Sequence, residues 1–442
     1  IMLDEKVNID INEFLKTLNF KTNIIYFIKW GIFSVIIGVV VGFAGASFGH
    51  AISFATDFWQ SHRYTLYLLP IFGLIISALY HFIHADNPRG TNWVIDSISS
   101  GETIPLKMAP TIYISSFLTH LGAGSAGREG AALQIGGSLG NFIGRKLKLG
   151  QTSFSDKADI NIAIMCGMAS CFSALFGTPI SASIFSMEIF SVGVMYHAAL
   201  IPCLLSSYIA VYVAKLMNTP VEKFIIQRAP DWNFRLVGFM ILLAALTAIV
   251  AILFSVAMHE SANIYKKVFK NPYIRIVVAA VLFIILTILS GSRDYNGGGF
   301  WLIERSMSGN VRYEAFLMKI LFTAVAMGGG FKGGEIVPTF VIGATFGGAF
   351  AKFFGLPYEL CTACGMIACF VGVTNCPIAS IFMGLEFCGS LGINYYAIVV
   401  GVSFVLSGYY GLYSSQKFAY SKTEARYVGS DAVSIRKKRQ NS

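Results

Sequence analysis

Long stretches of this chain carry no charge. Uncharged, apolar runs cover residues 30–56, 64–85, 160–187, 189–214, 236–259, 360–385 and 387–416, with shorter ones at 276–292, 320–331 and 336–351. Crossing a bilayer as a helix takes about 20 apolar residues, and lipid offers the backbone no partner outside its own helix. The pattern predicts an all-α polytopic membrane protein. Several runs are too short, too long or too rich in Gly and Pro for one straight helix. They predict tilted, broken and re-entrant helices lining a cavity. Residues 1–22 read as a polar, amphipathic cytoplasmic helix. Residues 23–416 read as the membrane domain, and 417–442 as a polar cytoplasmic tail with no regulatory domain after it.

The run pattern repeats. CGMASCF beginning at Cys166 matches CGMIACF beginning at Cys364. Each leads to a proline (Pro179, Pro377) and then to an apolar helix ending at a glutamate (Glu188, Glu386). Upstream, Arg128-Glu129-Gly130 with Ile135-Gly136 is echoed by Gly334-Glu335 with Ile342-Gly343. This predicts two related halves, about 23–216 and 235–416, with an ion site where they meet. Glu188 and Glu386 read as structural acceptors at helix ends.

Composition agrees. The chain is 55% hydrophobic and 13% charged, about half the charged fraction of a soluble domain. The net charge of +10 does not point to nucleic acid, because the basic residues sit in loops and tails: Arg145, Lys146 and Lys148; Lys266, Lys267 and Lys270; Arg436 to Arg439. Loop lysines and arginines favour the cytoplasmic side, so cytoplasmic termini in the cell's inner (plasma) membrane are expected. No signal peptide is read in residues 1–23. All eight cysteines lie in apolar runs. Cys361 and Cys364 share a CxxC spacing without a second pair or a histidine cluster, so small buried residues are expected there rather than a metal or redox centre. No cofactor is expected.

The chemistry concentrates in two glycine-rich segments. One runs from Gly122 to Gly130 and holds Arg128 and Glu129, which end a stretch of 20 uncharged residues after Lys107. The other runs from Gly328 to Pro338 and holds Lys332 and Glu335. Glycine lets backbone N–H groups approach an ion, and a helix N-terminus is electropositive. Two such starts, one per half, would bind a small anion between them. A carboxylate at membrane depth is costly without a partner or a cavity. There it competes with the anion when ionised and vacates the site when protonated, which makes a proton-coupled gate.

With these segments the chain resembles the CLC family of anion channels and transporters, over roughly residues 24–420. Gly127-Arg128-Glu129-Gly130 resembles that family's GREGP motif, with Ala131 in place of Pro. The segment Gly333 to Pro338 resembles its GxFxP motif, with Ile336 in place of Phe. Tyr413 falls in the late motif whose tyrosine faces the central anion. Thr91 stands where chloride-selective members carry an anion-coordinating serine. Proton-coupled chloride members carry an internal glutamate at the place of Ile189, and the resemblance gives that proton role to Glu335. The combination is most similar to the bacterial fluoride/proton antiporter branch, which usually has methionine at the place of Thr91 and threonine at that of Val337. The resemblance implies a CLC-type fold of two inverted-topology halves and no enzyme. It implies a homodimer in membrane lipid with one pathway per subunit. The partners are fluoride (or chloride) and protons. Glu129 is the expected gate and Glu335 the proton carrier. Thr91, Gly127, Arg128, Gly130, Ala131, Gly334, Ile336, Val337 and Tyr413 form the expected anion site.

Each assignment has an alternative. Glu129 could pair with Arg128 at a helix end, Glu335 with Lys332. Thr91 could be a helix N-cap, and Tyr413 an interfacial tyrosine. At the level of function, the alternatives are a chloride channel or chloride/proton exchanger and, remotely, an intramembrane serine protease built on Ser125 and His120.

Overall fold

The computed structural model describes residues 20–83, 90–147, 156–228, 230, 232–424, 426–431 and 434. The expected N-terminal helix lies almost wholly outside them, as does the basic stretch from Arg436 to Arg439.

Sixteen α-helices run through the described residues, eight in each half. The first half holds α1 (Phe20–Ser61), α2 (Leu69–Phe82), α3 (Thr91–Ser100), α4 (Met108–Leu121), α5 (Glu129–Lys146), α6 (Asp156–Phe176), α7 (Pro179–Glu188) and α8 (Leu200–Leu216). The second holds α9 (Phe234–Val268), α10 (Pro272–Leu289), α11 (Phe300–Met307), α12 (Ala315–Gly328), α13 (Ile336–Phe354), α14 (Tyr358–Thr374), α15 (Pro377–Cys388) and α16 (Ile393–Leu406). Seven helical segments are long and apolar enough to cross a membrane. The 42-residue α1 would span about 63 Å at about 1.5 Å per residue, roughly twice the hydrocarbon thickness, so it is longer than one upright crossing needs.

Two of the longest runs break at the same place. In 160–187, Gly177 takes a left-handed φ of 64° and Pro179 opens α7. In 360–385, Asn375 takes a left-handed φ of 56° and Pro377 opens α15. A left-handed residue satisfies the end of one helix, and proline's fixed φ suits the first turn of the next. The result is a short helix re-entering the protein, once per half.

The helices sort into an inner pair from each half and an outer ring. The apolar windows of α6 and α13 are 83% buried, whereas those of α1 and α10 are 28% buried. Outer side chains such as Phe43, Phe54, Ile249 and Leu289 are exposed, as a lipid-facing surface would be. Inside, α5 packs on α6 and α13 on α14, backbone to backbone. A Cβ at Gly167 would stand 3.0 Å from Cα of Gly140, and one at Gly365 2.9 Å from Cα of Gly347. Small residues permit this approach, and between apolar helices close packing replaces the hydrophobic drive.

The halves lock by exchanging helix caps. The Glu188 carboxylate, at the end of α7, accepts from the backbone N–H groups of Ile378 (3.2 Å) and Ala379 (2.9 Å) at the start of α15. Glu386, near the end of α15, accepts from Ile180 (3.1 Å) and Ser181 (2.8 Å) at the start of α7. Each carboxylate therefore satisfies orphan donors at an electropositive terminus in the other half. The mainly helical plan has one exception. The strands β1 (Ser191–Val192), β2 (Lys417–Tyr420) and β3 (Tyr427–Asp431) form a small sheet in that order. The pair β1/β2 is parallel, with Ser191 opposite Lys417, and β2/β3 is antiparallel. The polar tail is thus a hairpin stitched to the segment after α7.

Candidate functional site

The two glycine-rich segments meet at the centre. Gly127 N–H donates to the Gly334 carbonyl and Gly334 N–H to the Gly127 carbonyl, both at 2.7 Å. This reciprocal pair sets the N-termini of α5 and α13 against each other. Neither glycine can be replaced freely: a Cβ at Gly334 would stand 2.6 Å from Oε2 of Glu129, and one at Gly127 would collide with the same oxygen. The Glu129 side chain therefore fills the space between the glycines. It is fully buried, and neither carboxylate oxygen completes a hydrogen bond.

Arg128 does not neutralise it. Its guanidinium turns away to form an ion pair with Glu222 and stacks near Phe176 and Phe300, 5.0 Å and 5.6 Å from the ring centres. It also donates to the Leu175 carbonyl at 3.4 Å.

Two cavities flank this partition. A cavity of about 230 Å³ is lined by Thr91, Gln134, His259, Lys332, Glu335 and Tyr413, among others. A second, of about 160 Å³, is lined by Asp57, His120, Gly127, Arg128, Glu222 and Val337, among others. Thr91 opens α3 after Gly90, which takes the helix cap itself with a φ of 57°. The Thr91 hydroxyl instead points at the centre, 3.3 Å from where a Cβ of Gly130 would stand. Tyr413 is buried in the loop after α16, and its hydroxyl has no hydrogen-bond partner in the protein. Glu335 caps the N-terminus of α13 by position, and no ion pair with Lys332 is found among the described residues. Instead the Lys332 ammonium lies 4.7 Å over the Tyr80 ring. Ala131, Ile336 and Val337 are fully buried in the first turns of α5 and α13. They contribute backbone and steric walls rather than polar side chains.

Ile189 is closed off. It is fully buried at the end of α7, and its carbonyl accepts from Gln416 Nε2 at 2.9 Å. The strand that follows is covered by β2. The protease constellation does not assemble either. Ser125 Oγ bonds to Thr323 Oγ1 at 2.9 Å, and His120 Nδ1 to the Ser116 carbonyl at 2.8 Å. Cys361 and Cys364 are buried free thiols, and no metal-binding cluster occurs among the described residues.

Some polar residues were not singled out from the sequence. Lys319, on α12, is fully buried and donates to the carbonyls of Tyr295 (3.1 Å) and Gly297 (2.7 Å). A lone lysine inside an apolar helix was its visible signal. Gln134, His259 and Gln416 reach the site only through tertiary packing and left none.

Residues 72–408 match the voltage gated chloride channel family. The chain belongs to this CLC family. A "Chloride/fluoride channel protein" of Pseudomonas syringae pv. tomato is 30% identical over 90% of this chain and 88% of its own length. Among solved structures, a CLC-type fluoride/proton antiporter superposes with a TM-score of 0.83 at 31% identity, covering 88% of this chain and 98% of that one. A slow cyanobacterial Cl−/H+ antiporter superposes with a TM-score of 0.71 at 18% identity, covering 86% and 94%; that likeness is one of fold. The CLC membership accounts for the inverted halves, and the protein is a multi-pass membrane protein.

Proposed function

We propose that this CLC protein is a fluoride/proton antiporter that expels fluoride from the cytoplasm in exchange for protons. The observation that carries the proposal is the Glu129 carboxylate, buried with no completed hydrogen bond between the Gly127/Gly334 helix starts and flanked by a cavity on each side. When ionised, Glu129 occupies the place where backbone N–H groups would hold an anion. When protonated, it leaves that place to fluoride. Fluoride is strongly hydrated, so its site must replace water with good donors. Thr91, Tyr413 and the N–H groups near Gly130 and Ile336 are those donors here. With Ile189 apolar and sealed, protons reach Glu129 through the larger cavity and Glu335.

The likeness to a fluoride/proton antiporter at 31% identity supports this reading. One feature favours chloride instead: the Thr91 hydroxyl faces the centre as an anion-coordinating serine would. Proteoliposomes separate the two. Fluoride efflux should exceed chloride efflux and move protons the opposite way, read by an internal pH dye; chloride efflux at equal or greater rate would overturn the fluoride assignment. We further place the protein in the inner (plasma) membrane with cytoplasmic termini, as a homodimer with one pathway per subunit. Fully active protein of monomeric mass in mild detergent would refute the dimer.

A further inference from the structure

The loop that carries Tyr413 rests on a polar network reaching out to the C-terminal hairpin. Lys422 lies in the turn between β2 and β3. Its ammonium donates to the Phe404 carbonyl at 2.8 Å, Ser407 Oγ at 3.1 Å and Asn375 Oδ1 at 2.5 Å, and lies 4.3 Å over the Phe404 ring. Phe404 belongs to the last turn of α16, and Asn375 is the left-handed residue that ends α14. The cation thus sits where the negative ends of two helix dipoles converge.

Asn375 is the hub. While its amide oxygen accepts from Lys422, its Nδ2 donates to the Tyr410 carbonyl and to Gln416 Oε1, each at 3.1 Å. Gln416 donates in turn to the carbonyls of Thr374 (2.8 Å) and Ile189 (2.9 Å). Leu412 N–H donates to the Val373 carbonyl at 2.9 Å, and His259 Nε2 bonds to the Gly411 carbonyl at 2.9 Å. A Cβ at Gly411 would stand 2.7 Å from Asn375 Nδ2, so the loop presses directly on the hub. The loop is therefore held at positions 410, 411, 412 and 416. Between these ties, Tyr413 alone extends an unbonded hydroxyl at the cavity.

We propose that Lys422 is a positioning residue for the anion site, orienting the Asn375 amide and through it the loop that aims the Tyr413 hydroxyl. This rests on the reading of Tyr413 as an anion donor. A sub-ångström displacement of such a group costs rate out of proportion to its size. The network also makes the C-terminal hairpin part of the transport machinery rather than an appended tail.

The test is a double-mutant cycle on fluoride flux in proteoliposomes, with Lys422→Met, Tyr413→Phe and both together. Lys422→Met is expected to slow fluoride exchange by about tenfold and raise its KM. Lys422→Arg, which keeps the charge and donors, is expected to restore most of the rate. In the Tyr413→Phe background, Lys422→Met should add little, because the hydroxyl it aims is already gone. Independent, multiplying effects of the two substitutions would overturn the proposal, as would an unchanged rate and KM in Lys422→Met. If Lys422→Met fails to fold, Lys422→Gln is run through the same cycle with the same criteria. Should the wild type carry chloride and not fluoride, the function proposed above fails, and the cycle is read with chloride flux.

Discussion

The role proposed for Glu129 comes from what surrounds it rather than from its own chemistry. A carboxylate placed on a helix N-terminus is ordinarily stabilised by the N–H groups there. Here it is also sealed from water between two glycines and left without a completed hydrogen bond, so an anion entering the same space meets groups already arranged for negative charge. Glu129→Gln removes the charge and keeps the shape. Proton movement coupled to fluoride is expected to fall at least about tenfold, with any remaining fluoride flux insensitive to pH; unchanged coupled exchange would contradict the gate. Much of this centre was legible in the sequence, because charge at the end of a long uncharged, glycine-rich stretch is too costly in lipid to persist without an ion path or a partner. The partner of Arg128 was not legible. Glu222 lies far along the chain in a loop, and only folding brings it to Arg128.

Glycine sets how the helices pack. The pairs α5/α6 and α13/α14 approach closely enough that backbone touches backbone, and this holds the two helix starts rigidly at the centre. Gly365→Ala would drive a Cβ into the Gly343 carbonyl and to 2.9 Å from Cα of Gly347. A loss of about 1–3 kcal/mol in stability is expected, read as a lower unfolding temperature in detergent. Equal stability would mean that the helices are free to part. The breaks before Pro179 and Pro377 could be read from the repeat, since proline opens helices and ends runs. The sheet could not. Ser191–Val192 is too short to carry an alternating pattern, and its pairing with Lys417 and Phe418 is settled by where α7 and α16 end. The run 387–416 likewise gave no sign that its last ten residues form a tied loop instead of helix.

In the whole molecule, the two halves clasp each other around the proposed ion path. Glu188 and Glu386 close it by capping each other's short helices, and Gly127 and Gly334 close it at the centre. In the proposed cycle protons take a route that avoids Ile189, through the larger cavity, which has Glu335 on its wall. Glu335 thus takes, in the proposed cycle, the proton role that Ile189 cannot fill. The direct measurement imposes a fluoride gradient across proteoliposomes and records whether protons move uphill, in the wild type and in Glu335→Gln. Uphill proton movement is expected in the wild type and its loss in Glu335→Gln. Proton pumping that survives intact in Glu335→Gln would contradict it.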